Sequence, residues 1–362
     1  MNPSLNIAEL TDHHIDSGIG YYSYELTKAL QKHTSATLFK PYRSNHIDST
    51  FHSKSWIKGV SYRSFRQFRP YVLPLYLRAG LSTSSYDVVH AHWYLAGLAA
   101  TYLSKTPVVV TMHDVSVLHT ATATNKYIGY YRWALNRFKS QRIPLITVSE
   151  QARQDTIRYA EYPEELVFAV HNGLNTDRFY PMKRKSNSRF TIVYSGGLAE
   201  HKNLELLLNA LRIVQESHPD VALKIAGGSP QNTPYPALVK SLRLQNISFT
   251  GFVPDPGMND FYNSGDLMVY TSRYEGFGMA PLEAMSCGVP VISTNGGALQ
   301  EVSGGGAVMC GYDAEELATE IINLIDHPSK HAAVAKRGHE WIKQYTWDNA
   351  AINTLNIYNS LI

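Results

Sequence analysis

Short, near-continuous apolar runs, each bounded by turn residues and alternating with helical patterns, recur along this chain and constrain its fold more than any other feature. In the first half they stand at residues 5–10, 37–39, 88–90, 108–112, 145–148 and 167–170; in the second at 191–195, 222–226, 247–250, 267–271 and 289–293. A strand that is apolar on both faces must be covered on both, the situation of a parallel sheet with helices on each side. Helical patterns such as residues 21–32, and the stripe Leu204, Leu207, Leu208, Leu211 and Val214, supply that cover. The expected fold class is therefore α/β, built from Rossmann-like units.

At roughly 150 residues per domain, 362 residues make two such units. Asn172-Gly173 is a turn signal, and the basic, weakly apolar stretch 181–189 after it is the expected linker. That divides the chain into an N-terminal Rossmann-like domain at 1–180, the linker, a C-terminal Rossmann-like domain at 190–345, and a helix at 346–362 whose periodicity fits docking on either domain, with the first preferred. The groove between two facing domains is the natural binding site.

Hydrophobic residues at 44% and charged residues at 17% are ordinary for a folded chain and exclude wholesale disorder. The two cysteines, Cys287 and Cys310, and an opening without a basic, apolar leader point to a cytoplasmic protein without disulfides. Charge is uneven: residues 1–180 hold 19 basic against 13 acidic groups, and residues 181–362 hold 14 against 17. No acid lies between Asp48 and Asp87, where Arg63, Arg66, Arg69 and three other cations alternate with aromatics; a second acid-free basic stretch holds Lys126, Arg132, Arg137, Lys139 and Arg142 among aromatics. Such mixtures suit an anionic bilayer, hence a peripheral position on the inner face of the membrane, or else are core aromatics beside solvated cations. Without a recognition motif, nucleic acid is not an expected partner.

Residues 271–290, TSRYEGFGMAPLEAMSCGVP, carry the chemistry. They follow one apolar run and precede another. Gly276 and Gly278 permit a tight loop, Pro281 suits a first helical turn, and Gly288 with Pro290 ends a short helix. Such a helix N-terminus receives a phosphate. Glu275 and Glu283 bracket it, placed to accept hydroxyls from the two ends of a nucleotide sugar. An isolated pair of glutamates is otherwise ordinary solvated surface.

The pattern EGFGxxPLEAMxCGxPVI resembles the E-x7-E signature of retaining, GT-B-type glycosyltransferases of the large family four. SGIG at 17–20, DVVHAH at 87–92, TMHD at 111–114, TVSE at 147–150, NGLN at 172–175 and YSGGLAEHKN at 194–203 follow in that family's order. The resemblance implies that His113 and Glu275 hold sugar hydroxyls, Glu283 the ribose, and Lys202 the diphosphate. Gly276, Phe277, Gly278 and Met279 line the phosphates, Gly20 approaches them from the other domain, and Val253 borders the base. Gly197 stands where many relatives carry a phosphate-binding arginine, with His201 and Arg273 as candidate substitutes.

The implied activity is metal-independent transfer of a hexose, from GDP-mannose or UDP-glucose, to a glycan, glycolipid or lipid-linked acceptor. The nucleotide sugar is a substrate, and no cofactor is expected. No His, Cys or Asp set has zinc spacing, and no Asp-x-Asp motif is present. His13 and His14 lie near the glycine loop on the acceptor side, while a solvated loop is their plainer reading; His90 and His92 read as hydrogen-bonded packing residues lining the cleft. A nucleotide-sugar epimerase, a sugar phosphorylase and a non-catalytic nucleotide-sugar-binding protein remain alternatives.

Overall fold

A computed structural model describes residues 5–14, 17–40, 53–55, 86–103, 106–118, 126–183 and 189–362. The chain forms two compact units, Met1–Gly173 with Tyr345–Ile362, and Leu174–Gln344.

In the first unit, β1 (Asn6–Thr11), β2 (Ser35–Lys40), β3 (Ser53–Ser55), β4 (Val88–His92), β5 (Val108–Met112), β6 (Leu145–Thr147) and β7 (Val167–Ala169) make one parallel sheet in the order β3-β2-β1-β4-β5-β6-β7. Ile7, Leu10, Val88, Val109, Val110 and Ile146 are buried on it, as double-sided cover requires. The described α-helices before Gly173 are α1 (Gly18–Leu30), α2 (Tyr94–Leu103), α3 (Lys126–Ser140) and α4 (Glu150–Tyr159). Ser17 caps α1 by accepting from Gly20 N, and Ser149 caps α4 by accepting from Ala152 N.

The second unit repeats the plan. Strands β8 (Thr191–Tyr194), β9 (Ala222–Ala226), β10 (Ile247–Gly251), β11 (Leu267–Tyr270), β12 (Val291–Thr294) and β13 (Val308–Cys310) form a parallel sheet in the order β10-β9-β8-β11-β12-β13. Its helices are α5 (Leu204–Ser217), α6 (Tyr235–Ser241), α7 (Met258–Asn263), α8 (Met279–Ser286), α9 (Leu299–Ser303), α10 (Ala314–Asp326) and α11 (Pro328–Trp341). The stripe from Leu204 to Val214 is buried, as its spacing requires. The apolar runs do not mark β3, whose residues Ser-Lys-Ser carry no apolar signal, or β13, the strand at the edge of its sheet.

The division between units falls at Gly173, which corrects the boundary expected at 181–189. Residues just before that stretch, and Met182 within it, are bonded into the second unit. Tyr180 N donates to Asn259 Oδ1 (3.0 Å), Met182 N to Asn263 Oδ1 (2.8 Å), and Ser286 Oγ to Phe179 O (2.6 Å). Basic composition reports that a segment is solvated, not which body it bonds to. Tyr345 belongs to the first unit, as does α12 (Trp347–Asn359), whose buried Trp347, Ala350, Ala351, Thr354 and Tyr358 form one face. Thr346 caps this helix, and Asp348 Oδ1 meets His33 Nε2 of the loop after α1 at 2.8 Å.

A polar cluster lies inside the first unit. Glu9 of β1, His90 and His92 of β4 and Tyr358 of α12 are all fully buried. His92 Nε2 pairs with Glu9 Oε2 at 2.6 Å, Tyr358 donates to Glu9 Oε1 at 2.8 Å, and His90 Nε2 bonds Thr111 Oγ1 at 2.7 Å. His90 and His92 are thus hydrogen-bonded packing residues, as expected, and their full burial corrects only the expectation that they line an open cleft. Burial pushes the Glu9 carboxyl up, but the charge and hydrogen bond of His90 and the bond from His92 outweigh it and bring it down to about 2. Burial, with the charge of His90, lowers His92 to about 4.

Both shifts make acid destabilising. The unfolded chain binds a proton on His92 below its ordinary value of 6.5 while the folded chain refuses it down to about 4, and Glu9 extends the loss from 4.5 toward 2. Urea midpoints of the native protein should fall between pH 6.5 and 4 more steeply than those of His92→Gln. Tyr358→Phe should cost about 1.5–3 kcal/mol at pH 7 by removing a bond to a buried charge.

Candidate active site

Parallel sheets bind ligands beyond the carboxyl ends of the strands where strand order reverses. In the second unit that point lies between β8 and β11. Lys202 arrives there from a turn, Glu200–Lys202, that follows β8, and Glu275 from the loop after β11. Lys202 Nζ donates to Glu275 Oε1 at 2.6 Å, and both side chains remain partly open to solvent.

The backbone on either side of this pair is pinned. Tyr194, the last residue of β8, directs its hydroxyl at the carbonyls of Gly197 and Lys202, 3.1 Å from each, and Thr271 Oγ1 donates to Lys202 O at 3.1 Å. Ala298 N donates to Glu275 O at 2.9 Å, and Glu275 bridges to Gly297 as one rung of parallel pairing. A Cβ on Gly297 would stand 2.4 Å from Glu275 O, and φ there is +60°, so no other residue lets the two segments approach so closely. A Cβ on Gly278, the N-cap of α8, would lie 3.8 Å from Glu275 Cβ and Cγ. The carboxylate stem therefore packs at the positive end of α8, which begins at Met279 and has Pro281 in its first turn.

Glu283, within α8, has its own support. Tyr262 of α7 donates to Glu283 Oε2 at 2.7 Å, and Ser195 Oγ lies 3.0 Å from the same hydroxyl. Burial raises the Glu283 carboxyl above its ordinary value, against the lowering effect of the Tyr262 bond. Burial, reinforced by the neighbouring carboxylates, pushes the hydroxyls of Tyr262 and Tyr270 well above their usual range, so both are donors at any physiological pH.

Of the other expected residues of the second unit, Gly197 and the loop residues Gly276 and Phe277 adjoin the pair. Val253 follows β10 and is half-buried, beside Phe252, which is 77% exposed. Gly197 has φ +81°, a conformation in which an arginine would be strained; the guanidinium of Arg273 donates to Asn203 Oδ1 at 3.0 Å, and His201 is exposed. Gly276 and Phe277 occupy the loop before α8, Phe277 being buried.

Gly20, His13, His14 and His113 belong to the first unit, near the carboxyl ends of β1 and β5. His13 Nδ1 lies 3.1 Å from Asp12 Oδ1, and the His14 carbonyl accepts from Ser17 Oγ at 2.7 Å. The His113 ring meets Tyr22 edge-on with centroids 4.7 Å apart, and burial, with the charge of His92, lowers it well below its ordinary value and keeps it neutral. Its Nε2 is buried and has no partner among the described residues. Arg63, Arg66 and Arg69 lie outside the described residues. Among the described residues, Glu9, His90 and His92 bring ligating atoms within 4.8 Å of one another, but those atoms are engaged with each other, Thr111 and Tyr358. The sequence reading missed Tyr194, Tyr262 and Tyr270, because tyrosines in or beside apolar runs read as core.

Two family models match the chain, Glycosyltransferase Family 4 over residues 17–178 and Glycosyl transferases group 1 over residues 177–341. The chain belongs to glycosyltransferase family 4. It is 28% identical over 267 residues to O-antigen chain mannosyltransferase B of Escherichia coli, covering 70% of each chain. It is 27% identical over 315 residues to the phosphatidylinositol N-acetylglucosaminyltransferase gpi3 subunit of Schizosaccharomyces pombe, covering 84% of this chain and 66% of that one. Among solved structures, sucrose-phosphate synthase of Thermosynechococcus elongatus superposes with a TM-score of 0.82 at 20% identity over 99% of both chains. HepE of Anabaena in complex with UDP and glucose superposes with a TM-score of 0.74 at 21% identity, also over 99% of both. The fold of this glycosyltransferase is the two-unit α/β architecture of the GT-B class. No helix among the described residues is long and apolar enough to cross a membrane.

Gly297→Ala should displace the Glu275 loop. A loss of about 1–3 kcal/mol in unfolding free energy, read from urea melts, is expected from the backbone clash and the strained φ.

Proposed function

We propose that this glycosyltransferase takes a hexose from a nucleoside-diphosphate sugar and transfers it, with retention of anomeric configuration, to a glycan, glycolipid or lipid-linked acceptor. The observation that carries the reading is the Lys202–Glu275 pair seated at the sheet's switch point against the N-terminus of α8. An ammonium group and a helix N-terminus supply preorganised positive charge for a leaving diphosphate, with the backbone of Gly276, Phe277, Gly278 and Met279 alongside. In this reading Glu275 accepts sugar hydroxyls, Glu283 accepts the ribose hydroxyls, and Val253 borders the base. GDP-mannose and UDP-glucose are the proposed donors; the mannosyltransferase of E. coli and the UDP- and glucose-bound HepE support that choice.

His113 is proposed to serve the sugar as a neutral imidazole, its unpartnered buried Nε2 supporting the role. As positive charge builds at the anomeric carbon, a leaving phosphate oxygen takes the acceptor's proton and the acceptor attacks from the same face. No protein nucleophile is required. With Gly197 in place of an arginine, Lys202 carries the diphosphate's charge without it, and no metal ion is invoked.

A panel of nucleotide sugars with acceptor extract, scored for released nucleoside diphosphate, tests the reading. Glu275→Ala should abolish release, and Lys202→Ala should weaken binding of the free nucleoside diphosphate about 10–100-fold, the worth of a charge-assisted contact. Retention of binding without any acceptor-dependent release would favour a non-catalytic nucleotide-sugar-binding protein instead.

We also propose that the first unit meets an anionic membrane surface. On α3, Arg132 is exposed beside Trp133, 46% exposed, and Arg137 stacks 3.6 Å over the ring of the exposed Tyr102. Co-sedimentation with phosphatidylglycerol vesicles at low salt, lost at high salt and reduced in Arg132→Glu/Trp133→Ser, is the expected result.

A further inference from the structure

The carboxylate of Glu275 is held from two directions at a single atom. Oε1 accepts from Lys202 Nζ at 2.6 Å and from the Tyr270 hydroxyl at 2.7 Å. Among the described residues none bonds Oε2, so this oxygen keeps its capacity to accept, and the side chain is partly open to solvent. The two donors differ in what they can do next. Lys202 has a flexible stem and a partly open ammonium, so it is able to change partner. Tyr270 ends β11, its ring is 4% exposed, and its hydroxyl has no freedom to follow.

We propose that Tyr270 is a positioning residue that keeps Glu275 aimed at the sugar while Lys202 turns from Glu275 to the donor's diphosphate. The proposal rests on the reading of this site as a nucleotide-sugar site and deepens it. Paired as they are, Lys202 and Glu275 neutralise each other, so neither charge stands alone. When a diphosphate arrives, the ammonium is drawn to the larger negative charge and Glu275 loses one of its two donors. A carboxylate then held only by its own stem would sample several orientations. The Tyr270 bond is unaffected by the exchange, so Oε2 stays where a hydroxyl can donate to it. Nucleotide affinity is thus assigned to Lys202, and the additional affinity supplied by the sugar to Glu275 with Tyr270.

Calorimetric titration with UDP, UDP-glucose, GDP and GDP-mannose separates these roles, the measured quantity being the factor by which the attached sugar tightens binding. Tyr270→Phe should leave the affinity for the bare nucleoside diphosphate within about twofold of native and cut the sugar's factor about tenfold, the scale of one hydrogen bond to a charged group. In a Glu275→Ala background the same substitution should have no further effect, which a merely structural role for Tyr270 would not produce. The proposal is overturned if Tyr270→Phe leaves the sugar's factor intact, if its effect persists without Glu275, or if it weakens the bare nucleotide as much as the nucleotide sugar. It is equally overturned if the native protein binds a nucleoside diphosphate and gains nothing from the sugar, a result that spares the nucleotide site. Native protein that binds none of the four probes removes the reading of the site itself.

Discussion

A parallel sheet covered on both faces has room for charge only at the ends of its strands, and the organisation of both units follows from that. In the second unit the apolar residues of β8 and β11 are buried, and the first polar groups appear as the strands end. Tyr194 and Tyr270 are the last residues of those two strands. Each leaves its ring in the core and carries a hydroxyl to the boundary, one to the backbone of Lys202 and the other to the carboxylate of Glu275. The boundary between core and site is thus built from side chains that belong to both.

The first unit departs from that rule at one place. Glu9 lies in the middle of the sheet order, on β1 beside β4, where a carboxylate without partners would be expensive to bury. His90, His92 and Tyr358 surround it with donors. Because Tyr358 comes from the last helix, the cluster ties the end of the chain to its first strand. A buried ionic network of this kind is a poor source of stability in itself, yet breaking it by removing one partner is costly.

Much of this was legible in the residue order. The apolar runs marked eleven of the thirteen strands among the described residues because double-sided burial leaves a continuous apolar signal, and glycine and proline marked the loop and helix around Glu275 and Glu283. The unit boundary was not, since residues 174–180 read as part of the first domain and 181–189 as linker, whereas bonds to Asn259, Asn263 and Ser286 far along the chain tie Phe179, Tyr180 and Met182 into the second unit. Nor were the tyrosines legible as site residues, because a tyrosine at the end of an apolar run looks the same whether its hydroxyl meets water or a carboxylate.

The order of residues alone determined that there would be two α/β units and that Lys202, Glu275 and Glu283 would be presented on loops and a short helix at strand ends, because these depend on periodicity and turn chemistry within some twenty residues. Tertiary structure decided which partners those groups have: Tyr270 and Lys202 on one oxygen of Glu275, Tyr262 and Ser195 behind Glu283, and Tyr358 closing on Glu9 across 349 positions. Those pairings depend on strand order and register, which place side chains distant in sequence within ångströms of one another and which no local pattern encodes.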